Sequence, residues 1–582
     1  MMLTDSLSAV MVTADKGMTV SKSDTIQVVA GATVSEVLMR NPGLHVMDNG
    51  GAAGLKTVSL RGMGSAHTSI YVDGVRVGNV QSGQADLGMI NLEDCQTVSI
   101  DYAQSSVNFK TALPVFGRSP VAARARFAAG SFGTYNSGAR VDFRLSDKVS
   151  LSADFAGNWS RGDFRYADDL VRVNNDISQI RSGLNLWGLM DRGDYHVKAY
   201  YNDTDRGAPG STFYPSEDRQ KDKNAFVQGY LRKRFSQVYA LQMSTKVSYD
   251  DLSYISAWGN STYAQTEVQL NSSHEFNMAD WCRLSLAADI QWDALKSTEY
   301  NEERVAVITA AAAMFKVNGF TSRLTLEYNG ITDPGKRCNH LFSPAFDVKF
   351  RICEGVNLAG YVRRAHSVPV FNELYYAGYG NPDLSTEKAW LTDLGVDYHK
   401  SLAKHWSLKV MADIFFNSLR DKIISAPSAD DPNIWKPYNI GRVLSHGSDI
   451  SAGVKYNSRF SFSAEVKYSY VNAVDRTPDS PEYGKHLPYV AGHSLMCSAD
   501  ASLQGWGAGV IWQLRGGRYD SYGSLPEWDT LDVMAGKSFD IGKAGIITLK
   551  LAARNILNER YELSSGYPMP GASVTAGLEY RF

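Results

Sequence analysis

Apolar and polar residues alternate with a period of two over most of the chain. The final ten residues show it most plainly. Val574, Ala576, Leu578, Tyr580 and Phe582 fall on one face of an extended strand, and Ser573, Thr575, Gly577, Glu579 and Arg581 fall on the other. Successive strand side chains point to opposite faces, so this segment has one oily and one wet side. The same texture recurs at Tyr195, Val197, Ala199 and Tyr201 against His196, Lys198, Tyr200 and Asn202. It recurs at Leu408, Val410, Ala412, Ile414 and Phe416 against Lys409, Met411, Asp413, Phe415 and Asn417. Ala464 to Val471 and Thr548 to Arg554 repeat it. A sandwich in water can alternate in this way. An apolar face carrying two aromatics, opposite a polar face carrying Glu579 and Arg581, is the pattern of a strand closing a membrane barrel, oily side to lipid and polar side to the lumen.

No uninterrupted apolar run reaches the roughly 18 to 20 residues of a transmembrane helix. The longest candidate, Val305 to Phe315, is 11 residues and rich in Ala. The chain is therefore either soluble or a β-barrel. Among its 582 residues, 50 Gly, 31 Tyr and 11 Trp favour strands and turns over helices. Trp258, Trp406, Tyr519 and Trp528 stand near strand ends, as an interfacial girdle requires. A formal net charge of −2 points to no nucleic-acid partner. The five Cys, at 95, 282, 338, 353 and 497, have neither disulfide-framework nor zinc spacing, so free thiols are expected, with a Cys338–Cys353 bridge as the alternative. Met1 to Asp5 has neither a basic start nor an apolar stretch. An envelope protein needs an export segment, so its prior removal or a mis-set start is the expectation.

The first 120 residues read differently. Residues 1–25 have no sustained period, apart from the β-prone patch Ala9 to Ala14, which suits an edge strand or one that pairs with another protein's sheet. Thr33 and Glu36 are spaced as a capping box before the apolar stripe Val34, Val37, Leu38, and Asn41-Pro42-Gly43 ends that helix. Leu44 to Met47 and Lys56 to Gly62 read as strands. Ser69 to Val77 is a hairpin whose Asp73-Gly74 turn has type I′ chemistry. Leu92 to Tyr102 is another strand. This is a compact α+β unit with small-residue loops and no evident catalytic group.

The strings V-S-L-R-G-M-G (58–64) and S-I-Y-V-D-G-V-R-V (69–77), with T-V-S-E-V-L-M-R-N-P-G-L-H-V (33–46) before them, resemble the plug domain of TonB-dependent outer-membrane transporters. Ser8 to Ala14 resembles the family's TonB box. Val368-Pro369 through Phe371-Asn372-Glu373-Leu374-Tyr375, Gly380 to Leu384, Tyr438 to Gly441 with Gly447-Ser448-Asp449, and A-R-N-I-L-N-E-R-Y-E-L (553–563) resemble its barrel motifs, in order to the terminal strand. The usual plug ending of this family is absent. Asp101 to Ser106 and Phe116 to Pro120 stand in its place, so altered or shortened last plug strands are expected.

The resemblance implies a mainly β protein, a 22-stranded antiparallel transmembrane β-barrel filled by an N-terminal α+β plug. The expected divisions are 1–25 (a segment with the TonB box), 26–120 (plug) and 121–582 (barrel). About 460 residues follow position 120, and at roughly 9 to 11 per spanning strand plus turns they allow some 18 to 24 strands. The implied localisation is the outer membrane, as a monomeric barrel in contact with lipid. The implied activity is transport: import of a scarce, bulky ligand, driven by the TonB energy-transducing complex. Ser8, Ala9, Val10, Met11, Val12, Thr13 and Ala14 are the expected TonB contact, and Arg61 is the expected plug contact to barrel carboxylates.

By resemblance to the cobalamin-receptor branch, two plug loops point outward to the ligand. They are Asn49, Gly50, Gly51, Ala52, Ala53, Gly54, Leu55 and Lys56, and Asn79, Val80, Gln81, Ser82, Gly83 and Gln84. Their amides, hydroxyls and backbone suit a neutral corrinoid, so cobalamin is the first expectation and a ferric siderophore the alternative. Haem ranks lower, because no His lies between Pro369 and Asn381, although His366 lies just before. Asp168, Asp169, Asp176, Asp203 and Asp205 have the oxygen chemistry for calcium in external loops, against the plainer reading of solvated loops. No covalent cofactor and no enzyme activity are expected, since no G-x-S-x-G, H-E-x-x-H or Cys–His spacing appears. A surface receptor working with a lipoprotein partner is a further alternative.

Overall fold

The computed structural model describes residues 23–27, 33–92, 94–428, 434–520 and 523–582. The expected TonB box, Ser8 to Ala14, lies outside the described residues.

Among the described residues, twenty-two strands close into one antiparallel barrel, from Val121–Gly130 to Ser573–Arg581, and these two strands pair with each other at the seam. Each strand turns its apolar set outward. Val227, Val247, Leu286, Ile290, Leu324, Leu326, Ile414, Val466, Leu549, Leu551 and Leu578 are all exposed, as a lipid-facing band requires. In the closing strand Val574, Leu578, Tyr580 and Phe582 are exposed and Glu579 is buried in the lumen. The Ala-rich run Val305 to Phe315 is part of the strand Asn301–Val317, where its β-branched residues and period-two pairing prevail over the helix preference of Ala.

The two rims differ. At one rim the strands connect through short turns such as 147–148, 191–192, 354–355 and 404–405. At the other lie the longer connections 161–176, 368–386, 476–492, 516–527 and 555–572. Transmembrane barrels keep short turns on the periplasmic side and long loops outside, so the second rim is external. Trp258, in an external turn, is 97% exposed, and Trp406 sits at the opposite rim, but Trp528 is buried at 3% and belongs to the interior rather than a girdle. All five Cys are free. Cys338 and Cys353 lie at opposite ends of the single strand Arg337–Cys353, which rules out the bridge between them.

The plug fills the lumen. Strands β1 (Ser23–Gln27), β2 (Leu44–Asp48), β3 (Lys56–Leu60), β4 (Ser69–Val72), β5 (Val75–Val77), β6 (Cys95–Asp101) and β7 (Ser106–Thr111) accompany the helix α1 (Val34–Leu38). Five form a sheet in the order β1-β6-β7-β4-β5, with β4 and β7 parallel, and β2-β3 is a separate hairpin. The capping box forms as spaced: the Glu36 amide donates to Thr33 Oγ1 and the Thr33 amide to the Glu36 carboxylate. Asp73 and Gly74 both adopt positive φ (52° and 81°), as the tight turn demands. The plug ending is altered in sequence but not lost. Val107 and Phe109 of β7 are completely buried beside Val98 and Ile100 of β6. The first barrel strand starts at Val121. Plug and barrel share one core, in which Val37, Leu38, Leu44 and Phe109 join Leu391, Phe415, Val471 and Ala473 of the wall.

Candidate ligand vestibule and plug clamp

Arg61 lies just after β3 at φ 51°, a conformation that turns its side chain from the hairpin into the wall. Its Nε and Nη2 donate to Asp449 Oδ2 at 3.0 and 2.8 Å, and Nη2 lies 2.8 Å from Asp393 Oδ2. Nη1 donates to the Tyr361 hydroxyl, and the guanidinium stacks 4.2 Å from the Phe415 ring and 4.6 Å from that of Tyr102. Even its carbonyl accepts from Ser445 Oγ at 2.7 Å. Burial opposes the Arg61 charge, and Asp449, Tyr361 and Asp393 outweigh it. The expected contact to barrel carboxylates is therefore formed by Asp449 and Asp393.

Two further clamps were not legible in the sequence. Asp94, before β6, meets Lys198 Nζ at 2.8 Å and Arg140 Nη1 at 2.7 Å, and Lys198 also donates to Thr111 of β7 at 2.6 Å. Asp24, on the edge strand β1, meets Lys467 Nζ at 2.8 Å and accepts from Asn41 Nδ2 at 3.0 Å. Burial alone would raise the Asp24 carboxyl, but Lys467 overcomes that and holds it below its ordinary value. An inward Lys on a barrel strand carries no local signature. Only its position facing a filled lumen distinguishes it.

The first apical loop folds around its own lysine. Lys56 Nζ donates to the carbonyls of Gly51 (2.6 Å) and Gly54 (2.8 Å), and the Gly51 amide donates to Asp48 Oδ1 at 2.8 Å. The Lys56 ammonium is thus committed to shaping the loop. Gly54 permits the close turn, since a Cβ there would sit 2.6 Å from the Asn49 carbonyl carbon. The loop docks through Gly50 O to Asn175 Nδ2 (2.9 Å) and Ala53 O to Arg206 Nη1 (3.3 Å). The second loop closes on itself from the Gly83 amide to Asn79 O at 2.8 Å. It meets another sector of wall: Val80 donates to Gln265, and the carbonyls of Val80 and Gln81 accept from Phe371 and Asn372 of the helix α2 (Phe371–Tyr375).

Above the first loop the external connections enclose a cavity of about 640 Å³, bordered by Arg165, Tyr166, Arg518, Trp528, Arg560 and Tyr561 with Asp163, Asp168 and Glu562. A second cavity of about 290 Å³ lies between the plug and the wall near the seam, bordered by Gly51, Ala52, Lys56 and α1 on one side and Arg126, Gln179, Arg206 and Arg554 on the other. Phe132, Tyr561, Met569 and Gly571 border both. The residues bordering these two cavities include Gly51, Ala52 and Lys56 but none from Asn79 to Gln84. The arrangement leaves one cavity among the external connections and a second, walled by polar and apolar groups alike, beside the plug.

The five aspartates considered for calcium do not gather. Asp176 and Asp205 share Arg219 (2.9 and 2.6 Å), and Asp168 pairs with Arg560 at 2.9 Å. Among the described residues no group of three or more His, Cys, Asp or Glu is placed to hold a metal ion. His366 points away from the vestibule: it pairs across strands with Lys388 on the outer face, alternating with inward Ala365 and Ser367.

Comparison with known proteins agrees with this architecture. The chain is 22% identical to the vitamin B12 transporter BtuB of Photobacterium profundum, over 96% of this chain and 91% of that protein. Its fold superposes on the FrpB iron transporter of Neisseria meningitidis (TM-score 0.78, 14% identity, 97% of this chain and 99% of that one). It superposes likewise on the siderophore receptor PirA of Acinetobacter baumannii (TM-score 0.77, 14% identity, 96% and 98%). Family models match twice: the TonB-dependent receptor plug domain over residues 12–113, and the TonB dependent receptor-like β-barrel over residues 95–556. The chain belongs to the TonB-dependent receptor family and is an outer-membrane transporter of that family.

Proposed function

We propose that this chain imports cobalamin or a related corrinoid across the outer membrane, in steps driven from the periplasmic side. The observation that carries the ligand assignment is the self-contained loop Asn49 to Lys56. Its one cation is turned inward onto its own carbonyls, so the loop offers amide and backbone groups to an uncharged ligand. The full-length likeness to a vitamin B12 transporter supports the same reading. A ferric siderophore is the second reading, favoured by Arg165, Arg518 and Arg560 with Tyr166 and Tyr561 around the outer cavity, which suit an anionic aromatic ligand.

The energising step acts on β1. This strand is the edge of the plug sheet, zipped to β6 from Ser23–Asp101 to Gln27–Thr97. TonB engages Ser8 to Ala14 as an added strand, and tension there loads β1 first. Peeling β1 draws Asp24 from Lys467 and Asn41, and Asn41 also donates to the Tyr102 hydroxyl beneath Arg61. The plug is thereby loosened from its N-terminal edge, while the barrel, whose strands pair independently of the plug sheet, stays closed.

Calorimetry on the detergent-purified protein tests the ligand. Cyanocobalamin, a ferric catecholate siderophore and haem are titrated in parallel. Nanomolar cyanocobalamin binding supports the first reading. Tight siderophore or haem binding without cobalamin binding overturns it.

A further inference from the structure

We infer that the external cavity holds a subsite for a phosphodiester, built from Arg518 and Trp528, and that the chain takes corrinoids carrying a nucleotide tail in preference to those without one. The inference rests on the corrinoid reading above and names which members of that class are admitted. Arg518 opens the short hairpin of Arg518–Tyr519 and Ser524–Leu525 in an external connection, and Trp528 begins the next barrel strand, Trp528–Asp540. Both residues border the outer cavity, and both are buried, at 5% and 3% exposure. Arg518 Nη2 donates to the Glu562 carbonyl. Arg518 Nη1 and the Trp528 indole Nε1 have no hydrogen-bond partner. Buried donors are ordinarily met and buried cations ordinarily paired. Beside this cavity a buried cation is unpaired, and two buried donors are unmet.

The acids that border the cavity are engaged elsewhere. Asp163 lies 3.4 Å from Arg161, Asp168 pairs with Arg560 at 2.9 Å, and Glu562 accepts from the Gly566 amide at 2.8 Å. Among the described residues Arg518 makes no ion pair. Nor does Arg515, buried three positions earlier, which donates to the carbonyls of Pro42 and Met39, each at 3.0 Å. Burial, opposed chiefly by Glu562, pulls the Arg518 guanidinium down to about 10. A phosphodiester meets each of these needs. Its oxygens accept from Nη1 and from the indole N–H, and its single negative charge pairs the guanidinium. Both nitrogens are closed off from water. The Glu562 carbonyl is the one hydrogen-bond anchor of the Arg518 side chain among the described residues, so a turn of that side chain brings Nη1 to the ligand. The Trp528 ring lies tilted 4.4 Å from that of Tyr561, which borders both cavities, and the two rings offer an apolar wall to a planar base. A corrinoid that is neutral overall carries both features, phosphodiester and planar base, only when its nucleotide tail is present.

The test titrates cyanocobalamin and dicyanocobinamide into the detergent-purified full chain and into its Arg518→Gln variant, by calorimetry. Cobinamide keeps the corrin ring and lacks the phosphodiester and the base. Heat-modifiable gel mobility confirms that each barrel is folded. The native chain is expected to bind cyanocobalamin roughly tenfold or more tightly than cobinamide. Arg518→Gln is expected to lose roughly tenfold in cyanocobalamin affinity and to bind cobinamide within about twofold of the native chain. Equal affinity of the native chain for the two corrinoids overturns the subsite and leaves the corrinoid reading standing. An equal loss for both ligands in Arg518→Gln also overturns it, because that marks a purely structural role. Binding of neither corrinoid by the native chain overturns the corrinoid reading, and the subsite with it. If Arg518→Gln fails to fold, Trp528→Phe decides. It keeps an aromatic ring and removes the donor, so a loss of roughly fivefold for cyanocobalamin and none for cobinamide is expected. A loss shared by both ligands, or absent from both, contradicts the subsite.

Discussion

Arg61 and Asp449 are 388 residues apart in sequence, and two nitrogens of one meet a single carboxylate oxygen of the other at 3.0 and 2.8 Å in the sealed interior between plug and wall. Asp449 is held in turn by Ser469 Oγ at 2.6 Å. Removing one partner of such a buried pair strands the other. Arg61→Leu is expected to destabilise the plug within the barrel by about 3–5 kcal/mol. Urea unfolding followed by a plug-specific probe measures this, and the barrel transition is expected to stay where it is. Asp449→Asn, with Asp393 still present, is expected to cost less.

The edge strand gives a second prediction. Asp24→Ala leaves Lys467 buried with no partner on the plug. A loss of about 3 kcal/mol in local opening corresponds to roughly 100-fold faster amide exchange. Hydrogen exchange read by mass spectrometry is expected to show that increase in the peptide holding β1, with little change in β2 and β3.

The apical loop gives a third. Lys56→Met keeps the side-chain length but removes the donor to Gly51 and Gly54, and leaving those carbonyls unsatisfied costs about 1–3 kcal/mol. Cyanocobalamin affinity is expected to fall by roughly tenfold, with the barrel melting temperature unchanged. Unaltered affinity would place the ligand elsewhere.

A fourth prediction concerns acid. Burial, aided by Arg515, pushes the His45 imidazole down to about 3 in the folded plug. In the unfolded chain it titrates near its ordinary value of about 6.5. Below that value the unfolded state binds a proton that the folded state does not, so stability is full above about pH 6.5 and is lost progressively toward pH 3. His45→Leu removes this dependence. The difference in plug stability between variant and native chain is expected to shift by about 2–3 kcal/mol between pH 7.5 and pH 4.5. Parallel pH profiles for the two proteins would contradict the assignment.

What the sequence revealed and what it hid follow from the range of each interaction. Alternation is local, so the inward set Met411, Asp413, Phe415 and Asn417 was readable and is buried in the structure. The Thr33–Glu36 box and the Asp73-Gly74 turn span four residues or fewer and formed as read. β7 carried its own signal in Val107 and Phe109, but it was hidden by the expectation of a different family string there. Lys198 with Asp94 and Lys467 with Asp24 pair across 104 and 443 residues, and nothing near either lysine distinguishes it from other wet-face residues. Trp528 stands near a strand end, as a girdle residue does, but its ring lies tilted 4.4 Å from that of Tyr561, inside the external loops.

The central claim, import of a corrinoid driven through the N-terminal segment, is tested most directly by uptake. Cells lacking their own cobalamin receptor would carry either the full chain or the chain with residues 8–14 deleted, and both would be given labelled cyanocobalamin. The account predicts equal surface binding by the two and accumulation only with the full chain. Accumulation that survives the deletion, or surface binding by neither, would contradict it.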